Sequence, residues 1–156
     1  MSSYFLDTSS LIKQHVDELG YLWVRALCDP SAGNTIIVSE AAIIEVIASL
    51  CRMVRENPPR LNLADRDMLI TVFETLVQQQ YVVIEVNRTM FIRAATLCRT
   101  HALRAYDAVQ LACALTYRDD TVTSGQPAVT FICADNMLLT VAAQEGLAVD
   151  NPNLHP

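Results

Sequence analysis

Five short apolar runs, at residues 4–6, 35–38, 81–86, 129–133 and 147–149, alternate with stretches long enough for one or two helices each. Such runs, rich in Val, Ile, Phe and Tyr and bounded by polar turn residues, read as buried strands. Helices placed between successive strands impose parallel pairing through right-handed crossovers. The chain is therefore expected to be an α/β protein with a mostly parallel sheet of about five strands wrapped in helices. In such sheets ligands bind beyond the C-terminal ends of strands, where the connecting loops leave a crevice. The first run ends on Asp7-Thr8-Ser9-Ser10, so a carboxylate and three hydroxyls are expected at the mouth of that crevice.

Helical patterns cover residues 10–16 and 18–28, with a break near Asp17, and then run from a Ser39 cap to about Arg55. Further helices are expected from Asn62 or Leu63 to about Gln80, from Arg88 behind an Asn87 cap to about His101, and from about Ala105 to Tyr117. Residues 118–127 read as a polar loop, and residues 136–145 as a last helix stopped by Gly146. At 156 residues and 52% hydrophobic content, the chain suits one domain over residues 1–156 with a sizeable core. Residues 151–156 read as a mobile tail. No apolar run approaches the length of a membrane span and the start lacks a secretory pattern, so a cytoplasmic protein without a membrane partner is expected. The five cysteines are odd in number and contain no Cys-x-x-Cys pair, which favours buried thiols over a zinc or disulfide framework.

Most of the seventeen acids fall in loops, first turns or polar faces where solvation accounts for them. Four differ in placing. Asp7 and Asp135 each follow a strand, Glu45 interrupts an apolar helix run after the second strand, and Asp107 opens the most apolar helix of the chain. Each has an ordinary explanation alone, as a helix cap, a wet face or a complement to a helix dipole. Taken together they converge on one edge of the sheet. Two carboxylates about 4 Å apart repel by roughly 4 kcal/mol at an effective dielectric near 20, so four require protons or cations among them. Oxygen donors without His or Cys select Mg²⁺ or Mn²⁺ over zinc. Metal-activated water beside a phosphodiester is nuclease chemistry.

At these residues the chain resembles the PIN-domain ribonucleases, and in particular the VapC-type toxins of toxin–antitoxin pairs. The matching stretches begin with Phe5-Leu6-Asp7-Thr8-Ser9-Ser10-Leu11-Ile12-Lys13, followed by Val38-Ser39 with Glu45 six residues on. Then come Ala105-Tyr106-Asp107-Ala108-Val109-Gln110-Leu111-Ala112 and Ile132-Cys133-Ala134-Asp135-Asn136-Met137-Leu138-Leu139, running to Gly146-Leu147 and Asn151-Pro152. The resemblance implies a PIN-like three-layer fold and a catalytic metal site of Asp7, Glu45, Asp107 and Asp135, with Ser9 as a supporting hydroxyl. It further implies Mg²⁺ or Mn²⁺, endonucleolytic cleavage of RNA, a homodimer, and a cognate antitoxin whose C-terminal segment enters the active-site groove. One departure stands out: Cys133 occupies a position where many relatives carry Thr or Ser, which weakens an expected hydroxyl contact.

Lys13, Arg52 and Arg104 lie near the motifs and are candidates for RNA-phosphate contacts. A net charge of −6 is unusual for a nucleic-acid binder, yet bound cations offset clustered acids and ten of the eleven basic residues are arginine. His15, His101 and His155 show no ligand spacing. A haloacid-dehalogenase-type phosphatase would need an acid where Ser9 stands, and a receiver domain would need a lysine late in the sheet, whereas the sole lysine is Lys13. A PIN nuclease outside a toxin pair and a catalytically silent PIN-fold binding module remain as alternatives.

Overall fold

The computed structural model describes residues 2–155. Among them, strands β1 (Ser3–Leu6), β2 (Thr35–Ser39), β3 (Val82–Ile84), β4 (Val129–Ile132) and β5 (Ala148–Asp150) form one sheet in the order β3-β2-β1-β4-β5. Every neighbouring pair is parallel. The helices are α1 (Thr8–Leu11), α2 (Tyr21–Cys28), α3 (Glu40–Arg55), α4 (Leu63–Gln79), α5 (Arg88–Thr100), α6 (Ala105–Thr123) and α7 (Asn136–Gln144). None of them is long and apolar enough to cross a membrane.

Side chains alternate across the strands, and the two faces build two cores. Phe5, Ile37 and Phe131 pack with α6 residues such as Leu111, Cys113 and Leu115 and with Leu138 of α7. Their chain neighbours Leu6, Ile36, Val38 and Ile132 pack on the other face with Leu11, Val24, Leu50, Met53 and Phe73. A sheet covered on both sides explains why its strands read as continuous apolar runs rather than alternating ones. Because β1 sits at the centre and pairs with both β2 and β4, it is the point where strand order reverses. The crevice expected at such a point opens beyond Leu6 and Ile132, which lie side by side in the register.

Three expectations are revised. Helix α6 continues through the residues read as a polar loop as far as Thr123, because Asp119 is held by Arg93 at 2.8 Å and Arg118 at 2.7 Å and Thr121 is buried. The first long helical stretch is instead the single turn α1, a 3-10 turn at Ile12–Gln14, and then α2. Gly20 separates them at φ 82°, where an added Cβ would lie 2.0 Å from the Pro152 carbonyl oxygen, so only glycine fits. That contact belongs to the third revision. Residues 151–155, read as part of a mobile tail, form a 3-10 turn at Pro152–Leu154 and dock on the body. The Asn151 amide donates to Asn136 Oδ1 at 2.7 Å, the His155 ring stacks on Trp23 at 4.2 Å, and His155 Nε2 lies 2.9 Å from Asp150. Pro156 lies outside the described residues.

Candidate functional site

Asp7 leaves β1 with its amide bonded to the Ile132 carbonyl at 3.0 Å, which fixes it beside the end of β4. Its Oδ2 accepts the Ser9 amide at 2.9 Å and the Ser9 hydroxyl at 2.7 Å, capping α1. Oδ1 is buried and has no hydrogen-bond partner among the described residues. The residue is only 4% exposed. Burial pushes its carboxyl above the ordinary aspartate range, against the lowering effect of the Ser9 donors.

Asp135 caps α7, its Oδ1 accepting the amides of Met137 at 2.7 Å and Leu138 at 3.2 Å. Glu45 lies in the second turn of α3, where Ser39 caps the first. Its Oε2 accepts the Thr8 hydroxyl at 2.8 Å and also Gln110 Nε2. Burial raises the Glu45 carboxyl, and the charges of Asp7 and Asp107 raise it further. Asp107 occupies the first turn of α6. Burial and the Asp7 charge raise its carboxyl, Arg104 opposes the rise, and Asp135 adds to it. Glu45 and Asp107 thus each sense carboxylates from distant parts of the sequence. The helix-cap explanation holds for Asp7 and Asp135 as well, since each uses one oxygen for the cap.

The four acids line one cleft of about 490 Å³ together with Thr8, Ser9, Lys13, Arg52, Arg104 and Gln110. Every residue singled out from the sequence therefore reaches the same cleft. Lys13 is buried, however, with its ammonium donating to the Leu19 carbonyl at 2.9 Å and lying 3.7 Å from Glu18. Arg60, which no sequence motif marked, also lines the cleft and bonds Glu18 at 3.0 Å and Glu56 at 2.7 Å. Thr8, expected at the crevice as one of three hydroxyls, and Gln110 stand inside the matching stretches, but neither was marked as bonding Glu45. Gln110 had a signal, as the one amide inside the apolar run of α6.

Cys133 puts a weaker donor in the place of the hydroxyl, yet one that still reaches the acids. Its thiol donates to Asp7 Oδ2 at 3.5 Å, lies 3.5 Å from the Ser9 hydroxyl, and accepts the Asp135 amide at 3.3 Å. Burial first, and the Asp7 charge second, push this thiol up, so sulfur serves as a neutral donor in the place of a hydroxyl. Ser9 completes the join by accepting the Ala134 amide at 2.9 Å.

Among the described residues no three His, Cys, Asp or Glu side chains close on one point as a preformed ion cage would. A cage is not required by Mg²⁺, which binds through one or two carboxylates and keeps several waters. The donors suit such an ion: all four are carboxylates, burial raises three of them, and Asp7 Oδ1 has no hydrogen-bond partner among the described residues.

Next to this cleft lies a groove of about 610 Å³ with apolar walls. Ile44 of α3, Phe91 of α5, and Tyr106 of α6 stand 61%, 57% and 48% exposed along it.

The family model of the PIN domain matches residues 4–126. FitAcB from Neisseria gonorrhoeae superposes with a TM-score of 0.62 at 14% identity, covering 96% of this chain and 97% of that chain. VapBC2 from Rickettsia felis, bound to a DNA fragment from its promoter, gives 0.62 at 12% identity over 96% and 98%. FitAB bound to an IR36 DNA fragment gives 0.65 at 16% identity over 96% and 94%. At these identities the likeness is one of fold. No curated protein matches the sequence.

Proposed function

Since this chain belongs to the PIN-domain family, we propose that it is a metal-dependent endoribonuclease and the toxin partner of a cognate antitoxin protein. The observation that carries the reading is the gathering of Asp7, Glu45, Asp107 and Asp135 in one polar cleft, with a buried oxygen of Asp7 left without a partner among the described residues. An unpartnered buried carboxylate oxygen is costly. Its retention at a strand end where ligands bind favours a cation over a purely structural role.

Asp7, Glu45, Asp107 and Asp135 hold Mg²⁺ or Mn²⁺, and Ser9 orients Asp7. When bound, the cation supplies Lewis acidity toward the phosphodiester and a water of lowered pKa. Arg52 and Arg104 orient the RNA phosphates from the rim of the acids, whereas Lys13 and Arg60 are engaged in the Glu18 network. Because Ser9 and Cys133 both donate to Asp7 Oδ2, the carboxylate presents Oδ1 without reorganising at the moment of reaction. The VapC-type resemblance and the fold shared with VapBC2 support the antitoxin partner. The exposed Ile44, Phe91 and Tyr106 support a protein contact on the adjoining groove, which the proposal gives to a second copy of the chain.

The test is cleavage of total cellular RNA by the purified protein with Mg²⁺, with Mn²⁺ and with chelator, beside Asp7→Asn. Discrete products that require both the metal and Asp7 are expected. Products insensitive to chelator or equal in Asp7→Asn would contradict the assignment, and no products from the folded, metal-loaded protein would favour a binding module.

A further inference from the structure

Gln110 is 1% exposed, and burying a carboxamide is unfavourable unless its polar atoms are paired. Here they are paired in one direction only. Nε2 donates to the Thr8 hydroxyl at 2.8 Å and to Glu45 Oε2, and Oε1 accepts the Thr8 amide at 3.2 Å. Thr8 in turn donates its hydroxyl to the same Glu45 oxygen at 2.8 Å. Glu45 Oε2 is thereby saturated by two donors, while no donor among the described residues reaches Oε1. Gln110 also stands three residues after Asp107 on α6, a spacing that puts both on one face of the helix. One helix face thus presents a carboxylate and, one turn on, the amide that orients a second carboxylate from α3.

We propose that Gln110 is a positioning residue: with Thr8 it locks the roll of the Glu45 carboxylate so that Oε1 is delivered to the cation cleft. The inference rests on the nuclease reading above, because it assigns Glu45 to a cation. A buried, fully paired network of this kind specifies a geometry rather than adding bulk to a core. A thioether of similar volume at 110 would fill the space between α6 and α1, so packing alone does not call for the amide.

The experiment is a double-mutant cycle on the full chain, read by calorimetric Mn²⁺ titration and by thermal midpoint, with Gln110→Met, Glu45→Gln and the pair together. Gln110→Met should weaken Mn²⁺ binding about tenfold in the parent and less than twofold in the Glu45→Gln background, while lowering the midpoint equally in both. Thr8→Val, which removes one donor to Oε2 without entering the interior, should weaken Mn²⁺ binding in the same sense and serves as the readout if Gln110→Met does not fold. Undiminished binding in both Gln110→Met and Thr8→Val, or an equal loss in both backgrounds, overturns the proposal while leaving the metal site intact. Failure of the parent to take up Mn²⁺ overturns both readings.

Discussion

Helices α3 and α6 each serve two grooves of opposite chemistry. Ile44 and Tyr106 line the apolar groove, and the very next residues, Glu45 and Asp107, line the acidic cleft. In the apolar groove, large side chains lie roughly half exposed. In the acidic cleft, Asp7 is buried, and the half-buried Glu45 and Asp107 are raised by burial and by neighbouring carboxylates. Both are departures from what stability alone favours, one by leaving apolar surface wet and the other by drying charge. A helix turns about 100° per residue, which lets adjacent positions answer to different partners. On the proposed reading a cation serves the cleft and a protein surface the groove, and the two roles are separable by single substitutions.

The largest separation is expected from Asp107→Asn. It should reduce metal-dependent RNA cleavage by about a thousandfold or more, roughly 4 kcal/mol of transition-state stabilisation, with sedimentation of the protein unchanged. Loss of self-association in that variant would break the division between the grooves. Ile44→Asp is the converse. A charge buried without a partner costs several kcal/mol, so self-association measured by sedimentation should weaken by about a hundredfold while Mn²⁺ uptake stays at the parent level. The smallest effects sharpen the cleft itself. Arg104→Ala should weaken RNA binding severalfold by anisotropy and flatten the salt dependence by about 0.7 for one lost phosphate contact to a single strand. Lys13→Ala should leave that slope unchanged, because its ammonium is already committed to Leu19 and Glu18.

The acids were legible in the sequence because a carboxylate that ends or interrupts an apolar run has few reasons to be there. The sheet was legible for a related reason: strands buried on both faces leave long apolar signatures between helices. What the sequence does not display is the pairing that acts across distance. Gln110 meets Glu45 across 65 positions, and nothing local to either residue marks the other. The same holds for Arg60, brought to the cleft by its bonds to Glu56 and Glu18, and for His155, whose tail position gives no hint of its stack on Trp23. At Cys133 the sequence shows that a hydroxyl is replaced, but not the geometry by which the buried thiol still reaches Asp7 as a weaker donor. The exposure of Ile44, Phe91 and Tyr106 is not legible in the sequence either, since an apolar side chain on a helix reads the same whether it is covered or not.

The central claim is that the cleft sets a buried Asp7 against the half-buried, mutually repelling Glu45 and Asp107, a strain that a cation relieves, and the thermal midpoint of parent and Asp7→Asn with chelator and with Mn²⁺ tests it most directly. In chelator the sign follows from Asp7's carboxyl being raised in the fold above its ordinary 3.8. Its contribution to stability is present below that value and is lost as pH rises through the folded one. His15, whose imidazole burial lowers to about 4, acts in the opposite sense: its stability is present above its ordinary 6.5 and is lost as pH falls toward the folded value. It is common to both chains and leaves their difference unchanged. At pH 7 in chelator, Asp7→Asn should therefore melt above the parent, by roughly 2–4 °C for each kcal/mol relieved, and the gap should close near pH 4. Mn²⁺ at pH 7 should raise the parent past the variant. A parent already the more stable in chelator, or a variant that gains as much from Mn²⁺, would contradict the claim.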